Sequence, residues 1–135
     1  MFRLIIVLLY LSLSLFSQEL VTYTNYEKAL NIAKKENKNL LMFVYTDDCP
    51  WCSKMKKQTL SHEKTIEFIN NNFIFLTINK NSSVYPKEFI PRFIPTTYLI
   101  DAKNEEELYA LYGFKTSDAL ILELDGFDEI DELEK

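Results

Sequence analysis

The chain has 135 residues, of which 47% are hydrophobic, 14% aromatic and 26% charged. That composition excludes a disordered or collagen-like chain, and the length suffices for one domain around a single core but not for two. Twenty acids against fifteen bases give a net charge of -5, and the one basic cluster, Lys54, Lys56 and Lys57, falls inside a predicted helix, which argues against a nucleic-acid partner.

Met1-Phe2-Arg3 leads into an apolar run from Leu4 to Phe16, broken only by Ser12 and Ser14 and followed by Ser17-Gln18-Glu19. A bilayer-spanning helix needs about 20 apolar residues, so residues 1–17 read as a signal peptide. An uncleaved membrane anchor is the alternative, because Leu15 is larger than the small residue usual three before a cut. Either outcome exports the domain, to a periplasmic or secreted location. Removal of the segment takes away Arg3 and no acid, leaving a net charge of -6.

Thr24 and Glu27 match a capping box, so a helix is predicted to start there. Tyr26, Ala29, Leu30 and Ala33 follow helical spacing, and the polar run from Lys34 to Asn39 ends it. Leu40 to Tyr45 is an unbroken apolar run of strand length, as expected for a central strand covered on both faces. Ser53 to Thr59 reads as helix. Ser61 caps a further short helix carrying Ile66, Phe68 and Ile69, which Asn70-Asn71-Asn72 stops; His62 reads as a surface residue at its start. Phe73 to Ile78 reads as a second buried strand, Asn79 to Ser83 as a polar turn, and Pro86 as the start of a short helical stretch. Asn81-Ser82-Ser83 matches a glycosylation acceptor but is assigned no role, and Tyr85, Phe89 and Phe93 read as core or loop packing. Thr96 to Ile100 is a third predicted strand, Asp101 to Asn104 a turn, and Leu108 to Tyr112 a fourth strand. Gly113 then precedes a helix from about Thr116 to Leu124. Residues 127–135 read as an acidic, solvated C-terminal tail, in which Phe127, Ile130 and Leu133 could add a helical turn.

The only two cysteines, Cys49 and Cys52, stand three positions apart with Pro50 and Trp51 between them. A structural zinc site needs four Cys or His ligands, and His62 is the sole histidine. A structural bridge stabilises most by closing a long loop, and this spacing closes a small ring. Redox use remains, and position supports it: the pair follows a buried strand and opens a helix, where unpaired amides and the positive end of the dipole favour thiolate over thiol. Cys49 is then the nucleophile, with a pKa expected below the free value of about 8.5. Cys52, further into the helix, resolves the mixed disulfide. Pro50 suits a first helical position. Two thiolates also select Cu(I), which leaves a Cu(I)-binding carrier as a reading from a different class.

A strand, Cys-x-x-Cys opening a helix, and Ile94-Pro95-Thr96 opening a later strand together resemble the thioredoxin superfamily, over about residues 20 to 125. The lead-in from Lys34 to Leu40, Tyr45-Thr46-Asp47-Asp48-Cys49 and Lys56-Lys57-Gln58-Thr59-Leu60 resemble bacterial periplasmic thioredoxin-like proteins more than cytosolic thioredoxin. The resemblance implies an α/β thioredoxin fold over residues 18–126, with a central mixed sheet of four to five strands flanked by helices. It further implies a cis Pro95 beside the cysteine pair, with the backbone of Ile94 pairing with the substrate chain. Pro50 and Trp51 join these as expected substrate-binding residues, Trp51 either as an exposed platform or as cover for the core.

No metal and no cofactor beyond the Cys49–Cys52 disulfide is expected. The expected activity is that of a thiol-disulfide oxidoreductase reducing protein disulfides, with a disulfide oxidase or isomerase as the alternative. Its partners would be protein thiol or disulfide substrates and a membrane electron donor. Two departures stand out. Pro-Trp replaces the Gly-Pro of thioredoxin, so a redox potential does not transfer. Phe43 stands six before Cys49, where thioredoxin keeps a buried carboxylate that assists the resolving cysteine. Asp47 and Asp48 read as solvated loop acids rather than substitutes.

Overall fold

The computed structural model describes residues 17–133, so the expected signal peptide lies outside the described residues except for Ser17, as does the end of the tail, residues 134–135. Strand β1 (Thr22–Tyr23) is followed by helix α1 (Tyr26–Glu36), strand β2 (Asn39–Tyr45), helices α2 (Pro50–Gln58) and α3 (Glu63–Asn72), and strand β3 (Phe73–Asn79). A 3₁₀ turn (Lys87–Phe89) precedes strand β4 (Thr96–Asp101), strand β5 (Glu106–Tyr112) and helix α4 (Ser117–Leu133). The sheet runs β1-β3-β2-β4-β5; β3 is parallel to β1 and β2, while β4 is antiparallel to β2 and β5. This is the mixed five-stranded α/β architecture expected.

The apolar run of β2 takes the centre because both of its faces are covered. Leu40, Met42 and Val44 pack with Tyr26, Ala29, Leu30 and Ala33 of α1. Leu41 and Phe43 face the other way, with Cys52 and Met55 of α2, Ile69 of α3, and Leu120 and Leu124 of α4. Alternation along the strand therefore serves two cores at once. Among the described residues no helix is long and apolar enough to cross a membrane.

Local chemistry shifts several predicted boundaries. The α1 cap is Asn25, not Thr24: its Oδ1 accepts the Lys28 amide at 2.8 Å. Asn37, in the left-handed region at φ 53°, stops this helix, a conformation Asn tolerates better than most residues. Likewise α3 is capped by His62, whose Nδ1 accepts the Lys64 amide at 3.3 Å, rather than by Ser61. Strand β1 was not predicted, because two residues show no periodicity; long-range pairing makes it, Thr22 with Phe75 and Tyr23 with Leu76. Asn70 holds the approach to it, accepting the Val21 amide and donating to the Glu19 carbonyl.

The largest correction is at the C-terminus. Helix α4 does not end near Leu124 but continues to Leu133, so residues 127–133 are helical, as the alternative of a helical turn through Phe127, Ile130 and Leu133 allowed. Leu120, Leu124 and Phe127 keep one apolar stripe facing the core, and that burial outweighs the run of acids. Phe127 packs at a tilt against Tyr109 of β5 with ring centroids 4.5 Å apart. Phe127→Ala is expected to lower stability by about 1–2 kcal/mol, less than for a fully buried phenylalanine. A urea midpoint unchanged from the wild type would place the helix extension outside the cooperative core.

Candidate active site

Strand β2 ends at Tyr45, and the loop Thr46 to Asp48 delivers the chain to Cys49, which caps α2 with extended φ and ψ. Pro50 takes the first helical position, where its missing amide leaves nothing unpaired. The Cys49 Sγ accepts the backbone N–H of Cys52 at 3.1 Å, and the two cysteines are joined as a disulfide. One helix amide is thus aimed at the first sulfur. The pair is asymmetric: Cys49 is half-buried, whereas Cys52 is 1% exposed within the core.

Trp51 is 56% exposed, so it does not cover the core. Its ring lies 5.9 Å from that of Phe114, and the Lys54 ammonium sits 4.8 Å from both ring centroids. Lys56 lies 3.2 Å from the Tyr45 ring centroid. Burial pulls the Lys56 ammonium below its ordinary value, and Asp47 partly restores it. Asp47 and Asp48 are exposed, and Asp47 accepts a hydrogen bond from Asn79 at 3.1 Å.

The Ile94–Pro95 bond, at the entry to β4, is cis. Ile94 is half-buried against the same cluster as Cys49 and Cys52, and Thr96 pairs in register with Val44 near the end of β2. The Thr96 hydroxyl donates to the Phe93 carbonyl at 2.6 Å, and the Gly113 amide donates to the Pro95 carbonyl at 2.8 Å. Gly113 holds a φ of +77°, which a side chain would strain. Phe89 is buried and Tyr85 packs on the core, but Phe93 is not core: it is 66% exposed and meets Tyr112 edge-on. Sequence reasoning missed Phe114 and Lys54 as neighbours of Trp51. Lys54 sits three residues after it on the helix, a spacing that could have signalled contact; Phe114 approaches only through the fold.

A half-buried cysteine at a helix start, bonded to a fully buried one, on a sheet of this order, defines a thioredoxin-fold protein carrying a Cys-x-x-Cys disulfide. Residues 26–127 match the profile of the thioredoxin-like domain, and the chain belongs to that family.

Among curated relatives, Anterior gradient protein 3 of Mus musculus is 34% identical over 74 residues, covering 51% of this chain and 44% of that protein. An uncharacterized protein of Borreliella burgdorferi is 28% identical over 100 residues, covering 74% of this chain and 43% of the relative. The matches thus span less than half the length of these relatives. Of solved structures, a DsbH oxidoreductase superposes with a TM-score of 0.68 at 18% identity, covering 84% of this chain and 88% of the other. The oxidised C-terminal domain of DsbD from Neisseria meningitidis gives 0.63 at 19% identity, covering 78% and 98%. Likenesses at such identities establish the fold.

Proposed function

We propose that this protein is an exported thiol-disulfide oxidoreductase that reduces protein disulfides. The observation that carries the reading is the asymmetry of the pair: a half-buried Cys49 whose sulfur is held by a helix amide, beside a fully buried Cys52. In the reduced protein the Cys49 thiolate attacks a substrate disulfide, forming a mixed disulfide and expelling one substrate thiolate, which takes up a proton. Cys52 then loses its proton and attacks the Cys49 sulfur. The second substrate thiolate leaves, the Cys49–Cys52 bond re-forms, and two electrons have passed to the substrate.

The exposed Trp51 ring, resting against the partly buried Phe114, offers an apolar platform beside the attacking sulfur, and the Ile94 backbone at the entry to β4 is the edge to which a substrate chain would pair. The redox-active disulfide serves as the only cofactor. The apolar run of residues 4–16 supports export, and a reductase outside the cytoplasm requires a membrane electron donor. The similar structures, an oxidoreductase and a DsbD domain in oxidised form, agree with disulfide chemistry.

One observation favours the oxidase alternative. The helix amide on Cys49 stabilises thiolate, hence the reduced form, and makes the disulfide more oxidising. The couple is therefore expected between thioredoxin at about -270 mV and a strong periplasmic oxidase at about -120 mV. Equilibration with glutathione buffers measures it, and a value at the oxidase end reverses the direction. The reduced domain should also catalyse insulin reduction by dithiothreitol. Tight Cu(I) binding without that activity would favour a metal carrier instead.

A further inference from the structure

Four buried hydroxyls lack a hydrogen-bond partner among the described residues: those of Tyr26, Thr46, Tyr85 and Thr97. Tyr26 and Tyr85 belong to the α1 side of the sheet, and Thr46 lies past the end of β2. Thr97 is different. Register places it directly opposite Phe43 on one side and Leu111 on the other, and paired residues share a face of the sheet. Phe43, Leu111 and also Leu99, two residues along β4, all belong to the core cluster that contains Cys52.

Thr97 is therefore on the Cys52 face, 2% exposed, in surroundings of hydrocarbon. Among the fully buried members of that cluster, only Cys52 and the Met55 thioether carry an atom able to hydrogen-bond, and only Cys52 changes its chemistry with redox state. Other buried hydroxyls nearby are satisfied: Thr65 and Ser117 share a bond at 2.6 Å, and Thr59 donates to the Lys115 carbonyl. A buried polar group left without a partner destabilises the state that contains it, and calls for a reason.

We infer that the Thr97 hydroxyl is the hydrogen-bonding partner of the reduced Cys52 sulfur. The inference rests on the redox reading of the pair. On reduction by two glutathione thiols, the Cys49–Cys52 bond breaks and a glutathione disulfide forms. One of the two protons released stays on Cys52, and the other goes to Cys49 or to solvent. The new Cys52 S–H donates to Thr97 Oγ1. When Cys52 gives up that proton to attack a mixed disulfide, the hydroxyl turns and donates to the sulfur anion, since a hydroxyl can do either. Phe43, directly opposite in the sheet, can do neither.

The hydroxyl is thus unsatisfied in the disulfide form and satisfied in the dithiol form, and it pulls the equilibrium toward the dithiol. Thr97→Val keeps the β-branched shape suited to a strand and removes that pull. Wild type, Thr97→Val, Thr97→Ser and Thr97→Ala are equilibrated in glutathione buffers, quenched with acid, alkylated and weighed by mass spectrometry. Thr97→Val should shift the equilibrium about fivefold toward the disulfide, a potential about 20 mV more reducing. Thr97→Ser, which restores the hydroxyl, should stay within about twofold of wild type on the same scale. Thr97→Ala opens the same space in both redox states, so its shift should match that of valine even if packing suffers. Valine and alanine variants indistinguishable from wild type, or a serine variant shifted as far as valine, would overturn the inference while leaving the redox reading intact. A wild-type disulfide that no glutathione buffer reduces would sink both.

Discussion

Replacing Cys52 by serine is expected to arrest the protein as a mixed disulfide through Cys49 and to reduce turnover of insulin to the uncatalysed rate. The half-exposed Cys49 can still attack, because its position at the helix start and the amide of residue 52 are backbone features that survive the substitution. The second displacement then has no nucleophile, and the covalent adduct persists until an external thiol removes it. Cys49→Ser should lose turnover equally but trap nothing, since the remaining sulfur is buried. Alkylation of the reduced wild type near neutral pH should label Cys49 first for the same reason. Non-reducing electrophoresis and peptide mass mapping read all three results. A trapped adduct on Cys52, or preferential labelling there, would reverse the roles of the two cysteines. The adduct also identifies the substrate, because the trapped protein is released by reductant.

Phe43→Ala is expected to cost about 3–5 kcal/mol, the range for a fully buried aromatic truncated to alanine. Phe43 is 0% exposed at the centre of the middle strand, with Thr77 and Thr97 opposite it on the two flanking strands. It stacks on Tyr45 with ring centroids 6.1 Å apart and shares its core with Cys52, Met55 and Leu124. Strands on both sides hold the space open, so little collapse can fill the cavity. Because small domains are stable by only about 5–15 kcal/mol, such a loss brings the fold close to the unfolding threshold. The urea midpoint should fall sharply with an unchanged slope. A loss below about 1 kcal/mol would mean that the core relaxes around residue 43 far more than its burial implies.

Much of the candidate site's geometry was legible because it is local. Cys49, Pro50 and Cys52 lie within one helical turn, and a buried strand before them with a capping geometry after them is written in four consecutive residues and their neighbours. The Ile94-Pro95-Thr96 opening was legible for the same reason, and so were the long apolar runs that became β2 and β3. Elements held by distant partners were less so. Two residues became β1 only by pairing with β3, and the acids Glu106 and Glu107 became strand because β5 is an edge where they face water. Acids likewise masked the extension of α4, whose apolar stripe matters only once Tyr109 is in place to meet Phe127.

By itself, then, the sequence determined the chemistry available to this protein: two thiols at a helix start, no histidine or acid within the motif, and a proline poised at the head of a later strand. Only the tertiary structure decided how those groups are placed. Alternation along β2 buries Cys52 on the Phe43 face, the chain between Cys49 and Ile94, 45 positions apart, folds back to pack both on one cluster, and β4 brings the Thr97 hydroxyl into the same core. Spacing along the chain sets the local geometry of a helix turn, but which sulfur meets water and which meets hydrocarbon depends on what the sheet carries to it from elsewhere.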